Sequence, residues 1–531
     1  MSRARTVCVL ALAAATGWVL YANAWLVDDA YITFRTVDNF VHGRGLTWNP
    51  GERVQAFTHP LWMLLVSVEH AVTGELFYTV LLTSMALTIA AVAIGIRALG
   101  EPRLGPRAAF AVLAAITAKA VMDYGSSGLE GPLSYLLVAL LWLELRRGER
   151  ARLVRVALFA ALAFVNRPDT ALIGAPAVAW AAVRARRRGA PVARPLALGA
   201  APAVAWLLFA LFYFGFPFPN TFYAKVSTGA PLGDRLARGV AYLGNSLRWD
   251  PAAHAVFALA TVLAVRARRL RPEALALVAG LWLYVGFAVT NACATHMSGR
   301  LLAVPLFAAA PVLCALCPPR AALAGALALV AFTLWHPRAP WKMSTALYRP
   351  GAQDESRIDT SWFVHREGGT LRPFRPAHPW LAMGAAFRAS GERFRIGGAW
   401  EAMGWFGYAA DPDQTLIDVV GLTDPLVARL PACNVDDPAH WKSGHFYREL
   451  PAGYLATRVG GRNVVVDPAL RAYLARLDRV TRGPLLDGQR LRDILQLNLV
   501  ERRAPAPPPP PGDCRTRVWR AREELAALLR R

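Results

Sequence analysis

The sequence predicts a polytopic α-helical membrane protein with about 11 transmembrane helices and a C-terminal extracytoplasmic α/β domain. Three observations lead there. The 531 residues are 55% apolar and only 18% charged, against about 25% charged in ordinary soluble domains. Long apolar runs fill the first 335 residues, and short arginine clusters separate them. After Trp335 the runs stop, and charges, Gly and Pro scatter through the rest. The net charge of +23 does not signal nucleic acid. A nucleic-acid binder gathers Lys and Arg beside base-reading residues, whereas these sit between apolar runs as cytoplasmic loops do.

The first run, 6–27, follows Ser2-Arg3-Ala4-Arg5 and is long enough to cross a bilayer core of about 30 Å. It ends in Trp25-Leu26-Val27-Asp28-Asp29 without a small-x-small cleavage site, so it reads as a retained helix with its N-terminus in the cytoplasm. Five further clusters follow, at Arg97/Arg103/Arg107, Arg146/Arg147/Arg150/Arg152/Arg155, Arg184/Arg186/Arg187/Arg188/Arg194, Arg266/Arg268/Arg269/Arg271 and Arg320. If all face the cytoplasm, an out-and-back pair of spans separates each from the next. The sequence supplies them at 76–97, 107–123, 129–145, 152–165, 170–183, 195–214, 251–267, 273–290, 299–318 and 320–335. The N-terminus and these clusters carry 20 arginines, and the outer segments before residue 336 carry 9 Lys and Arg counting Arg300. That asymmetry sets the orientation in the membrane, with the N-terminus in the cytoplasm. The run 60–73 is too short to cross and holds Glu69 and His70, so it reads as a re-entrant or interfacial helix.

Residues 1–335 therefore form the transmembrane domain, and 336–531 a soluble α/β domain outside. In the latter, 394–398 and 414–420 read as buried strands, 469–477 and 523–529 as helices, and Ala504 to Pro511 as an extended polyproline spacer. Cys314 and Cys317 read as packing residues inside a span. Cys293, Cys433 and Cys514 fall outside, and a Cys433 to Cys514 bridge would fasten the C-terminal tail to its domain, with Cys293 as the competing partner. No cysteine or histidine spacing marks a metal site, and no Gly-rich phosphate loop follows a strand.

Chemistry is expected on the outer face. The first outer loop, 28–59, opens on two adjacent carboxylates at a helix exit, Asp28 and Asp29. Desolvated acids there are costly and therefore functional candidates; the plainer reading is a solvated pair capping the next helix. Like charges this close split their titrations, leaving one acid as a base and the other to orient it.

These residues carry a resemblance. Asp28-Asp29-Ala30-Tyr31-Ile32-Thr33-Phe34-Arg35, followed by Gly43-Arg44-Gly45-Leu46-Thr47-Trp48-Asn49-Pro50-Gly51-Glu52-Arg53, is similar to the first outer loop of GT-C fold glycosyltransferases, above all the branch of terminal β-(1→2)-arabinofuranosyltransferases. Ser127-Gly128-Leu129-Glu130-Gly131-Pro132, Asn166-Arg167-Pro168-Asp169, Pro219-Asn220-Thr221-Phe222-Tyr223-Ala224-Lys225 and His296-Met297-Ser298-Gly299-Arg300 resemble that superfamily in the same order. So do Ile417-Asp418-Val419-Val420-Gly421-Leu422-Thr423-Asp424-Pro425 and Gly444-His445-Phe446-Tyr447-Arg448 in the soluble domain.

The resemblance implies inverting transfer of a sugar, arabinofuranose first, from a polyprenyl-phosphate-linked donor to an extracytoplasmic cell-envelope glycan or protein. Asp28 or Asp29 would be the base. Lys225, His296, Arg300 and Arg35 would stabilise the leaving phosphate, and Glu130, Asn220 and Tyr223 would bind substrate. Plainer readings stand beside them: Lys225 snorkelling to lipid headgroups, His296 as an interfacial histidine, Arg300 paired with Glu130, and Arg167-Pro168-Asp169 as an ion-paired hairpin turn. No cofactor is called for, and no oxygen cage announces a divalent cation, although some GT-C enzymes place one beside the acidic pair. A lipid-sugar flippase is the rival class, yet the internal repeat of a transporter is missing. A transferase modifying lipid A with another sugar is the rival among enzymes.

Overall fold

The computed structural model describes residues 3–101, 105–226, 228–291, 299–343, 378–398, 403–435, 444–507, 509 and 513–530. Its first part is helical throughout. Helix α1 covers Arg3–Ala22, α2 Asp28–Val41, α3 Pro60–Thr73 and α4 Phe77–Arg97. Next come α5 Pro106–Thr117, α6 Lys119–Asp123, α7 Gly131–Leu145, α8 Leu153–Asn166, α9 Ala171–Arg187 and α10 Ala193–Tyr213. They are followed by α11 Asn220–Val226, α12 Leu232–Trp249, α13 Pro251–Arg266, α14 Pro272–Thr290, α15 Ala303–Leu316 and α16 Pro319–Trp335. Among the described residues, α4, α10 and α14 are long and apolar enough to cross a membrane, and the other apolar helices have 10–17 residues.

Two differences from the sequence reading matter. The run 107–123 is broken at Ala118, whose extended backbone separates α5 from α6. The segment 28–59 does not begin as a loop. Its first 14 residues form α2, because Ala30, Phe34 and Val37 recur at helical spacing and the two acids lie in the first turn, where the helix dipole favours them. Gly43 and Gly45, both at positive φ, end it.

Side-chain packing joins the helices pairwise, α4 on α7, α8 on α9 and α10, α9 on α14, α13 on α15 and α5 on α16. Small residues set some of these distances. A Cβ on Gly280 of α14 would lie 2.3 Å from the Ile173 carbonyl of α9, so the two backbones touch there.

The C-terminal part contains α17 Pro379–Ser390, β1 Phe394–Gly397, α18 Met403–Ala409 and β2 Thr415–Asp418. It continues with α19 Tyr454–Gly460, α20 Pro468–Arg482, α21 Gly488–Leu499 and α22 Cys514–Leu529. The strands pair in parallel from Phe394 with Thr415 to Gly397 with Asp418. Among the described residues the expected α/β domain is thus mainly helical around a two-stranded sheet. Of the expected polyproline spacer, Pro508, Pro510 and Pro511 lie outside the described residues. Ala504 is buried and donates its N–H to the Arg429 carbonyl, so this end lies against the domain and does not run free.

The two parts interlock. Ile32 of α2, Trp48 and Ala56 share one apolar cluster with Phe387, Met403, Phe406, Ala410 and Leu416. Phe216, after α10, enters the core of the C-terminal part. Helix α18 lies directly on α2, and its Gly404 has no room for a Cβ, which would sit 1.8 Å from the Asp28 carbonyl oxygen.

Candidate active site

A cleft of about 830 Å³, part of it open solvent, lies where α2, the segment before α3, the α8–α9 turn, α11 and the start of α15 converge under the C-terminal part. Asp29, Thr33, His59, Arg167, Lys225, Arg300 and His445 supply its polar wall. Asp29 and Thr33 are four residues apart on α2, so both point the same way. Thr221 and Lys225 repeat that spacing on α11, and both face the cleft.

Neighbours divide the acidic pair. The Asp28 carboxylate accepts the backbone N–H groups of Trp405 at 2.7 Å and Gly404 at 3.3 Å, and the residue is buried. Burial, with the Asp29 charge beside it, pushes the Asp28 carboxyl up to about 7 against those two hydrogen bonds. Asp29 faces the cleft and receives Arg300 Nη1 on Oδ2 at 2.5 Å. Burial alone would raise it, but Arg300 and Lys225, with His445, outweigh burial and hold Asp29 below its ordinary value. One carboxyl is therefore driven up toward neutrality, and the other is held down and turned toward the open space.

Behind the cleft wall Glu130, 2% exposed, organises two lining groups. Its Oε1 accepts Arg167 Nη1 at 2.5 Å, and its Oε2 lies 3.0 Å from His59 Nδ1. The other ring nitrogen of His59 is 2.7 Å from the Thr33 hydroxyl. Arg167 Nε also donates to both Asp169 oxygens at 2.8 and 2.9 Å. The site thus offers one ionised carboxylate in a ring of cationic and imidazole groups. That suits abstraction of a hydroxyl proton beside a departing anion.

The chain resembles terminal β-(1→2)-arabinofuranosyltransferases. It is 31% identical over 265 residues to the "Terminal beta-(1->2)-arabinofuranosyltransferase" of Mycobacterium tuberculosis, a match covering 46% of this chain and 42% of that protein. It is 27% identical over 328 residues to the protein of the same name from Corynebacterium glutamicum, covering 55% and 48% respectively. The chain spans less than half the length of each relative. No family model and no solved structure matches it.

The expected site residues divide sharply. Asp29, Lys225 and Arg300 meet in the cleft. Arg300 pairs with Asp29 and not with Glu130. Glu130, expected to bind substrate, does not line the cleft and instead holds Arg167 and His59. Arg35, expected to meet the donor phosphate, is instead buried. It donates to the carbonyls of Trp48, Gly407, Asp411 and Gln414 and stacks on Trp48. Six residues separate it from Asp29, which at 100° per residue turns it about 120° away around α2.

Asn220 and Tyr223 do not line this cleft either. Asn220 Nδ2 donates to the carbonyls of Gly421, Leu422 and Asp424, and its Oδ1 accepts from Arg429. Tyr223 packs on Phe216 under the Arg429 guanidinium and borders a different cavity. Both lie off the Thr221/Lys225 face of the short helix α11, as the helical spacing requires.

His296 and Cys293 lie outside the described residues. Cys433 and Cys514 are joined, both buried, with Cα atoms 6.1 Å apart; Cys314 and Cys317 are buried free thiols. His59 and His445 were not singled out in the sequence. Their signals were present: His59 immediately precedes the proline that starts α3, and His445 sits inside one of the resembling motifs.

Proposed function

We propose that the chain is a membrane glycosyltransferase that moves arabinofuranose, inverting the anomeric centre, from a polyprenyl-phosphate donor to a cell-envelope glycan or protein outside the membrane. The observation that carries this reading is the Asp29 carboxylate turned into a cleft beside Arg300 and Lys225. The names of both relatives support the sugar.

Asp29 takes the proton of the acceptor hydroxyl as its oxygen attacks the anomeric carbon. The bond from that carbon to the donor phosphate oxygen breaks, and polyprenyl phosphate leaves. Arg300 and Lys225 stabilise the charge that develops on the phosphate. As they turn toward it they release Asp29, whose basicity rises when the acceptor proton needs a home. Asp28 positions α2 through Gly404 and Trp405. A divalent cation needs several oxygens. Here Asp28 is occupied by two backbone N–H groups and Asp29 by Arg300, so the reading includes no metal step in the cleft.

The same reading keeps eleven spans, with the N-terminus in the cytoplasm and the C-terminal part outside. Its support is the pattern of connections. The arginine clusters fall at α4–α5, α7–α8, α9–α10, α13–α14 and α15–α16. The cleft is built from the alternate set: α2 and the segment before α3, which lie between α1 and α4, and the α6–α7, α8–α9, α10–α12 and α14–α15 connections, α11 lying in the α10–α12 one.

Reconstituted protein supplied with decaprenyl-phosphoryl-arabinofuranose and an arabinan acceptor should release polyprenyl phosphate and add one pentose, read by mass spectrometry. Transfer from a nucleotide sugar without a polyprenyl carrier would overturn the donor. Movement of the lipid-linked sugar across vesicles without any transfer would favour a flippase.

A further inference from the structure

The far ends of α2 and α3 form a second cluster, distinct from the cleft. Asp38 lies near the end of α2, His42 follows that helix as its cap, and His70 is in the last turn of α3. Asp38 Oδ1 is 3.3 Å from His42 Nδ1 and 3.3 Å from His70 Nε2. One ligand atom from each residue falls within 4.8 Å of the other two, and no other described group of histidines, cysteines and acids meets that condition.

Those separations have a chemical meaning. Tetrahedral zinc binds imidazole nitrogen and carboxylate oxygen at about 2.0 to 2.2 Å, which places neighbouring ligand atoms about 3.3 Å apart. Two edges of such a tetrahedron already exist here. Two neutral imidazoles and one carboxylate suit a borderline divalent ion such as Zn²⁺ better than Mg²⁺ or Ca²⁺. His42 is exposed, which gives entry and leaves the fourth position to water. His70 is buried; its Nε2 is aimed at Asp38, and its Nδ1 has no hydrogen-bond partner among the described residues. His42 Nδ1 also lies 2.8 Å from the Asp38 carbonyl oxygen. Binding requires this exposed ring to turn slightly and carry its proton on Nε2.

We propose that Asp38, His42 and His70 form a Zn²⁺-class site that clamps the end of α2 to the end of α3. Asp38 is nine residues from Asp29, about 13 Å along the helix. The clamp therefore touches no reacting group; it braces the helix whose other end carries the candidate base. This inference is independent of the reaction assigned to the cleft.

The test uses full-length protein in detergent, freed of any polyhistidine tag and stripped with a chelator. Zn²⁺ titration against a chromophoric chelator should give one equivalent per chain, and Co²⁺ should produce the visible absorption of a tetrahedral site. His42→Ala and His70→Ala should each weaken binding at least about tenfold, and Asp29→Asn should leave it unchanged. Zn²⁺ should raise the Tm of the wild type and not of His42→Ala. His42 is exposed, so that variant keeps the test valid if His70→Ala fails to fold. Substoichiometric binding, unchanged affinity in His42→Ala, or loss of binding in Asp29→Asn would each overturn the site.

Discussion

Asp28 rests against the N–H groups of Gly404 and Trp405, whereas Asp29 meets Arg300 in the cleft, and their carboxyls are driven in opposite directions. Asp29→Asn removes the candidate base and should lower turnover by about 10² to 10⁴. Asp28→Asn, which keeps an oxygen for the Trp405 N–H, should cost distinctly less. Initial rates of pentose transfer at matched expression test the order, and near-wild-type turnover in Asp29→Asn would remove its role. Asp28 also makes a pH prediction. Its carboxyl is held at about 7 in the folded chain, against an ordinary value of 3.8. Below about pH 4 it is protonated in both states. Between about pH 4 and 7 the unfolded chain ionises and the folded one does not, so this group's contribution to stability falls as pH rises and levels off above 7. The Tm difference between Asp28→Asn and wild type should therefore move in the variant's favour across that window; a difference independent of pH would contradict the raised value.

The contact between α18 and α2 is the closest element-level constraint on the site. Because a Cβ on Gly404 would lie 1.8 Å from the Asp28 carbonyl oxygen, Gly404→Ala must push α18 off α2 and stretch both hydrogen bonds to the Asp28 carboxylate. Overpacking of this kind costs about 1 to 3 kcal/mol. Thermal denaturation should show that loss together with reduced transfer, and unchanged Tm and turnover would mean that the helices are not in register here. Elements that bury an apolar stripe against other apolar helices were legible from the sequence, and the bounds of α4, α10, α14 and α16 fall within two residues of the expected spans. Helix α12 was not expected, because its apolar positions alternate with Asp234, Arg235, Arg238 and Arg248 and no continuous run marks it.

Across the whole molecule, the C-terminal part closes over segments more than 200 residues earlier. Arg448 ties it to α11 by donating to the Ala224 carbonyl, and Asn49 exchanges hydrogen bonds with Leu416 on β2. The Cys433 to Cys514 bridge anchors α22 to this body across 81 residues of chain. By the chain-entropy estimate a loop of that length stabilises by about 4 to 5 kcal/mol at most. Cys433→Ser should lower the Tm under non-reducing conditions and match reduced wild type. Non-reducing peptide mapping should find the 433 to 514 linkage, and free thiols at both positions would reject the bridge and the oxidising side assigned to this part.

The sequence by itself determined the helical membrane-protein character, the approximate bounds of most apolar helices and the acidic pair at the start of α2. Each is a local property, set by run length, helical period or adjacent charges. The distinct environments of Asp28 and Asp29 were decided only by tertiary structure, because the groups that separate their titrations, Trp405 and Arg300, are 377 and 271 residues away along the chain. The same holds for Arg35, Asn220 and Tyr223. Their residue types suit substrate, but the face of the helix each occupies turns it toward protein carbonyls or aromatic rings. A motif names which residues travel together in sequence; the helical turn and the element packed against it determine which of them reach the cleft.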